Sequence, residues 1–268
     1  MDGKIVHNMP AQEYQDAIGI NASLLADVDA HSLKYVRAVM NGMRKESREF
    51  DLGTAFHAAL LEDDRRNYAI KPDGMSYATK EGKAWRAEHE GEMILSAEDD
   101  AAIDDMLLAT MRACGEFCPM HGDAEVSLFA TGPSGYDLKG RIDYLPKDGN
   151  AIVDIKTARN ADPEAFVRQA WDLRYHMKAA FYLDLARKCG IERGVFRFIV
   201  VSTQPPHDVS VITMQDGPCS FISAGRQRYR QAFAKLTKAI ETNTWPSYGS
   251  HHAEDFATAW MTRELELS

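Results

Sequence analysis

Alternating apolar and polar positions mark out a hairpin in the middle of the chain. Residues 137–145 alternate around Leu138, Ile142 and Leu145, and residues 151–155 form a short apolar run with Asp154 as its single acid. Between them, Pro146-Lys147-Asp148-Gly149-Asn150 is a cluster of turn formers. Ahead of the hairpin, residues 124–130 alternate as a strand, with Glu125 on the face opposite Val126 and Leu128. Behind it, residues 194–203 read as a buried strand, and 208–214 pair with it across Gln204-Pro205-Pro206-His207.

Helical spacing governs most of the rest. Asn21 or Ser23 caps a helix through Leu24, Leu25 and Val28, and the pattern continues over 31–43. A helix is predicted over 50–68, with Phe56, Ala59 and Leu60 in one stripe. Ser96-Ala97-Glu98-Asp99 resembles a capping box and opens a helix through Ile103, Met106 and Met111. Asp162-Pro163-Glu164 starts another, and a further helix runs from Tyr175 through Tyr182 to a stop at Gly190. Residues 219–242 form a long helix bearing Arg226, Arg228, Arg230, Lys235 and Lys238, a run that serves as a solvated face or meets phosphates or a second subunit. Residues 71–92 are charged and glycine-containing, and read as a partly helical, mobile surface segment. The order helix, three strands, helix, two strands, helix fits an α/β protein built on a mixed sheet flanked by helices, with an N-terminal helical extension. We divide the single expected domain, 1–268, into a mainly helical part (1–120), a sheet core (121–215), and a C-terminal helix and tail (216–268).

Composition narrows the class. A chain of 268 residues can bury a substantial core, and no apolar run approaches membrane-spanning length. No apolar stretch follows Met1-Asp2-Gly3-Lys4, so a signal peptide is not expected and a cytoplasmic protein is the simplest reading. Cys114, Cys118, Cys189 and Cys219 contain only one closely spaced pair, which argues against structural zinc; reduced, mostly buried thiols are expected. The net charge of −9 argues against a general nucleic-acid coat protein, since sequence-independent affinity rests on neutralised phosphates.

The hairpin also carries candidate chemistry. Strand side chains alternate faces, so Asp154 and Lys156 share a side, and an antiparallel partner brings Asp143 opposite them. Two carboxylates and a lysine at a strand end suit metal-assisted phosphodiester hydrolysis: the acids hold a hard divalent cation, and the lysine stabilises developing charge or positions water. A bare Asp-x-Lys is common in solvated hairpins. The apolar flanks Val153 and Ile155 favour burial, which makes an unpaired carboxylate costly.

Gly140-Arg141-Ile142-Asp143 with Asp154-Ile155-Lys156-Thr157 resembles the second and third motifs of the PD-(D/E)xK nucleases, in their RecB-like branch. The stretch 52–62, with Gly53 and His57, resembles that branch's Gly-x-x-x-His helix. Read alone, His57 lies beside an apolar stripe, where a histidine is more often a boundary residue. Softer similarity to the RecE or exonuclease VIII type of phage and prophage exonucleases runs through His7-Asn8-Met9-Pro10 with Tyr14, Ile20-Asn21-Ala22-Ser23, Thr79 to Trp85, and Trp245-Pro246-Ser247-Tyr248-Gly249.

The resemblance implies a restriction-endonuclease-like fold and a DNA exonuclease acting on linear duplex, 5′ to 3′, leaving 3′ single strands for recombination. His57, Asp143 and Asp154 would be metal ligands, joined by the Ile155 carbonyl, with Lys156 catalytic. Glu125 would lie near the metal directly or through water; the alternative is a solvent-facing carboxylate. The metal would be Mg²⁺, with Mn²⁺ able to substitute, and no iron–sulfur cluster is expected. The branch's Gln-x-x-x-Tyr becomes Lys178 and Tyr182, expected DNA contacts. Tyr175 and His176 on the same helix face DNA or pack on the sheet. By its own charge, not by the resemblance, the 71–92 segment is a solvated surface insertion or lies over the DNA entry path. A ring-shaped homo-oligomer and a single-strand annealing recombinase are the implied partners. A structure-specific endonuclease, a single-strand exonuclease and a non-catalytic DNA-binding module are the alternatives.

Overall fold

The computed structural model describes residues 3–43, 50–61, 68–114 and 121–250. The first part of the chain folds as β1 (Gly3–Val6), α1 (Ala11–Asp16), α2 (Ala22–Ala30), α3 (Leu33–Met40), α4 (Phe50–Leu61), β2 (Tyr68–Ile70), α5 (Lys80–Glu88), β3 (Met93–Leu95) and α6 (Ala97–Cys114). Then come β4 (Gly122–Thr131), β5 (Asp137–Pro146), β6 (Ala151–Ala158), α7 (Pro163–Asp172), α8 (Tyr175–Lys188), β7 (Val195–Ser202), β8 (Val209–Gln215) and α9 (Phe221–Thr242).

Local chemistry explains several boundaries. Asn21, not Ser23, caps α2 by accepting the Leu24 N–H at 2.8 Å. At the start of α6, Ser96 Oγ accepts the Asp99 N–H while the Asp99 carboxylate accepts the Ser96 N–H, the reciprocal exchange of a capping box. Asp162 caps α7 through the Ala165 N–H, and Pro163 occupies the first helical position, where its missing N–H is no loss.

Six strands form one mixed sheet in the order β1-β4-β5-β6-β7-β8. Every adjacent pair is antiparallel except β6 and β7, which are parallel and joined by the α7–α8 crossover. One face packs against α2, α8 and α9, burying Leu25, Val28, Leu183 and Leu236 against Leu128 and Phe196. The other packs against α4 and α6, burying Phe56, Ile103 and Met106 against Val153 and Ile155. Strand β7 sends Phe196, Phe198 and Val200 to the first side and Ile199 and Val201 to the second, so apart from Arg197 it reads as an apolar run.

Three expectations change. The polar N-terminal stretch contains an edge strand: β1 pairs with β4 from Gly3↔Ala130 to Val6↔Ser127. Four residues paired on one side carry too little alternation to show in sequence. The helix predicted over 50–68 is α4, described to Leu61, and Tyr68 begins β2 instead. The 71–92 segment is partly helical as expected, holding α5, but it is framed by the parallel pair β2–β3, which contributes Leu95 to the core beside Phe56. Cys118, Glu62 and the tail 251–268 lie outside the described residues. Of the three described cysteines only Cys114 is buried; Cys189 is half-buried and Cys219 exposed.

Candidate metal and catalytic centre

The sheet is interrupted where the acids sit. Val126 pairs with Ile142 and both enter the α8-side cluster, whereas Ala124 and its partner Tyr144 pack toward α4 and α6. Regular strands keep alternate residues on one face, so the chain must turn over between these pairs. Glu125 makes the turn: its φ is 52°, a left-handed conformation that costs a non-glycine residue on the order of 1–2 kcal/mol. Asp143 lies opposite, at the gap in the ladder. On the other side, β5 and β6 are paired at Tyr144↔Val153, and beyond that pair the Asp143 carboxylate accepts the Ile155 N–H at 2.9 Å. A side chain replaces a backbone partner, and the strands open around it.

Helix α4 closes this opening. A Cβ on Gly53 would stand 2.7 Å from Thr157 Oγ1, so against that hydroxyl the close approach of the helix to β6 favours a glycine. One turn later, His57 lies with Nε2 at 3.2 Å from Asp143 Oδ2 and Nδ1 at 3.4 Å from Glu125 Oε1. Ligand atoms of His57, Glu125 and Asp143 all fall within 4.8 Å of one another. A second glycine acts on the opposite face: a Cβ on Gly140 would meet the Tyr182 ring at 2.7 Å, so α8 lies directly on β5.

Asp154 is 2 % exposed and stands beside this trio. Its Oδ2 pairs with Lys156, and its Oδ1 lies 2.5 Å from Lys178 Nζ on α8. Lys156 also donates to the Ile155 carbonyl at 3.1 Å and lies 5.5 Å above the Tyr175 ring. The five residues read from the motifs, His57, Asp143, Asp154, Lys156 and Lys178, thus converge at one place, with Glu125 among them and not facing solvent.

Electrostatics follow from crowding in a poorly solvated space. Burial opposes protonation of His57, but the Asp143 and Glu125 carboxylates outweigh it and raise the imidazole above its ordinary value. Burial raises Glu125 despite His57 and Arg141 nearby. Asp143 would likewise be raised by burial, yet Lys178, Lys156 and His57 drive it far below the usual carboxylate range. Lys178 is held charged, since Asp154, Tyr182 and Asp143 overcome its desolvation. Burial pushes the Tyr182 hydroxyl up to about 12.

Two members of the centre escape spacing rules. Arg141 pairs with Glu125, and its guanidinium lies 5.7 Å over the Tyr14 ring. The signals were the arginine two positions before Asp143 and a tyrosine in the N-terminal stretch; only the fold joins them. Other expectations are redirected. Tyr182 is buried, with the Lys178 ammonium 5.4 Å over its ring. Tyr175 packs on Phe198 and Phe166. His176 is fully buried and stacks on Trp171 at 4.3 Å. The basic run of α9 is largely occupied internally: Arg226 binds Asp216 and Asp184, Arg228 binds Asp29, and Lys235 reaches the Val28 carbonyl.

The donors suit a hard divalent ion: carboxylate oxygens with one imidazole fit Mg²⁺ and are comfortable for Mn²⁺. Among the described residues no helix is long and apolar enough to cross a membrane.

Comparison with known proteins places this architecture. A crystal structure of a "putative exonuclease" from Eubacterium rectale superposes with a TM-score of 0.64 at 14% identity, covering 95% of this chain and 100% of that one. A phage related exonuclease from Haemophilus somnus 129PT matches with a TM-score of 0.34 at 9% identity, over 82% of this chain and 96% of that one, too distant to carry an argument. No match was found among curated proteins. The first likeness establishes the fold alone. The family described as a PDDEXK-like domain of unknown function, DUF3799, matches residues 22–256, most of the chain, and the protein belongs to it.

Proposed function

We propose that this protein is a metal-dependent exonuclease that hydrolyses phosphodiester bonds of linear duplex DNA, 5′ to 3′, leaving a 3′ single strand. The observation that carries the reading is the convergence of His57, Glu125, Asp143, Asp154 and Lys156 at the opened β5–β6 edge of a PDDEXK fold. The name of the Eubacterium rectale relative agrees with it.

In this reading His57, Asp143 and Asp154 hold a Mg²⁺ or Mn²⁺ ion, with the Ile155 carbonyl and Glu125 adjoining. When bound, the ion supplies Lewis acidity toward the phosphoryl oxygen and lowers the pKa of water. The chain's own groups do the rest. Lys156 places a fixed positive charge beside Asp154, where charge develops on the phosphoryl group. Arg141 orients Glu125 so that it faces His57 and Asp143. Lys178 offers an ammonium to a phosphate, and Tyr182 backs it as a wall.

Linear duplex labelled separately at its 5′ and 3′ ends, with Mg²⁺ and with chelator, tests the reading. Release of the 5′ label first, with chelator abolishing it and closed circular duplex left intact, is the expected result. Cutting of the circle would reassign the protein as an endonuclease. Undiminished hydrolysis by Lys156→Ala would remove the mechanism.

A further inference from the structure

Both oxygens of the buried Asp154 carboxylate are occupied by ammonium groups, Lys156 on Oδ2 and Lys178 on Oδ1. Lys156 is its strand neighbour and has a second acceptor in the Ile155 carbonyl. Lys178 arrives from a different element, α8, and Asp154 is the carboxylate it contacts. Around the opening, the acids Glu125, Asp143 and Asp154 are matched in number by Arg141, Lys156 and Lys178, with the His57 imidazole against two of them as well. A dication entering such a balanced space leaves excess positive charge in a medium that solvates it poorly.

We infer that Lys178 is a resident counter-ion of Asp154 that makes divalent-ion binding and phosphate binding mutually dependent. The inference rests on the proposed metal centre and deepens it. Without nucleic acid, the Lys178 ammonium competes with the ion for Asp154, and metal binding is weak. A phosphodiester supplies the missing negative charge and gives the displaced ammonium a new partner, so metal and DNA each strengthen the other's binding. That reciprocity is thermodynamically required once one ligand alters the affinity for the other. The consequence is restraint: the centre is fully assembled only when a DNA strand is present.

The test counts free Mn²⁺ by electron paramagnetic resonance, with and without a short phosphorothioate duplex that resists hydrolysis. For the wild type, the duplex should tighten Mn²⁺ binding. Lys178→Gln should bind Mn²⁺ about tenfold tighter than wild type in the absence of DNA, an ordinary size for coupling between sites, and gain little more from the duplex. Lys178→Arg keeps the charge and should behave as wild type. Thermal melting of each variant verifies that it is folded before titration. Equal or weaker Mn²⁺ binding by Lys178→Gln without DNA, or an unchanged gain from the duplex, overturns the inference while leaving the nuclease reading intact. A wild type that binds no Mn²⁺ under either condition sinks both.

Discussion

Gly53 and Thr157 meet face to face: the glycine Cα side of α4 lies so close to β6 that an added Cβ would fall 2.7 Å from Thr157 Oγ1. That contact sets the height of α4 over the sheet, and so the reach of His57 toward Asp143. Gly53→Ala should push the helix outward, lowering stability by about 1–3 kcal/mol. Nuclease activity should fall by about 100-fold, as expected when a site residue is displaced by an ångström. The Thr157 Cβ itself would lie 3.8 Å from the new methyl, an ordinary contact. Thr157→Ala should therefore rescue much of the loss in the double variant, and Thr157→Val should not. Chemical denaturation and specific activity of the four proteins measure the coupling.

The Asp154 carboxylate holds an ammonium group on each oxygen, which changes how its removal should be read. Asp154→Asn is expected to abolish metal-dependent hydrolysis. It should also destabilise the metal-free protein by about 3 kcal/mol, the usual penalty for stranding a buried charge. Adding Lys178→Gln should restore much of the stability but none of the activity. Urea midpoints in chelator decide this, and an unaltered midpoint for Asp154→Asn would contradict the buried pair.

Acid sensitivity should arise at His176. Burial, reinforced by the Arg228 charge, lowers its pKa from the ordinary 6.5 to about 4. The folded state thus favours the neutral ring. Its stabilising contribution is complete above the unfolded-state value and is lost as pH falls from 6.5 toward 4. The loss should amount to something on the order of 3 kcal/mol. His176→Phe, which preserves a ring against Trp171, should flatten that limb in melts followed between these pH values. An equally steep limb in the variant would place the sensitivity elsewhere.

Arg226 illustrates a cationic helix that is spoken for. It donates to both oxygens of Asp216 at 2.7 Å and to Asp184 at 2.9 Å. These bonds push its pKa up, through Asp216 first and then Asp184. Arg226→Ala should cost about 2 kcal/mol of stability, since two half-buried carboxylates lose a partner. The salt dependence of DNA affinity should stay the same, because no phosphate contact is lost; a slope shallower by about one unit would show that α9 meets the backbone.

The chain's local patterns determined a good deal by themselves. Alternation located β4, β5 and β8, apolar runs located β6 and β7, capping chemistry located the starts of α2, α6 and α7, and the motif residues His57, Asp143, Asp154 and Lys156 stood out before any packing was known. Such features are legible because backbone periodicity and capping act over a few residues. What only the tertiary structure decided is how charges are shared between distant segments. It turned Glu125 inward at a left-handed kink, joined Arg141 to Tyr14, set Lys178 on Asp154, and matched Arg228 with Asp29 across 199 residues of sequence. A charged side chain in a sequence does not show whether it will face water or a partner. Burial makes that choice, because desolvation in the packed interior leaves a charge stable only where an opposite one has been brought to meet it.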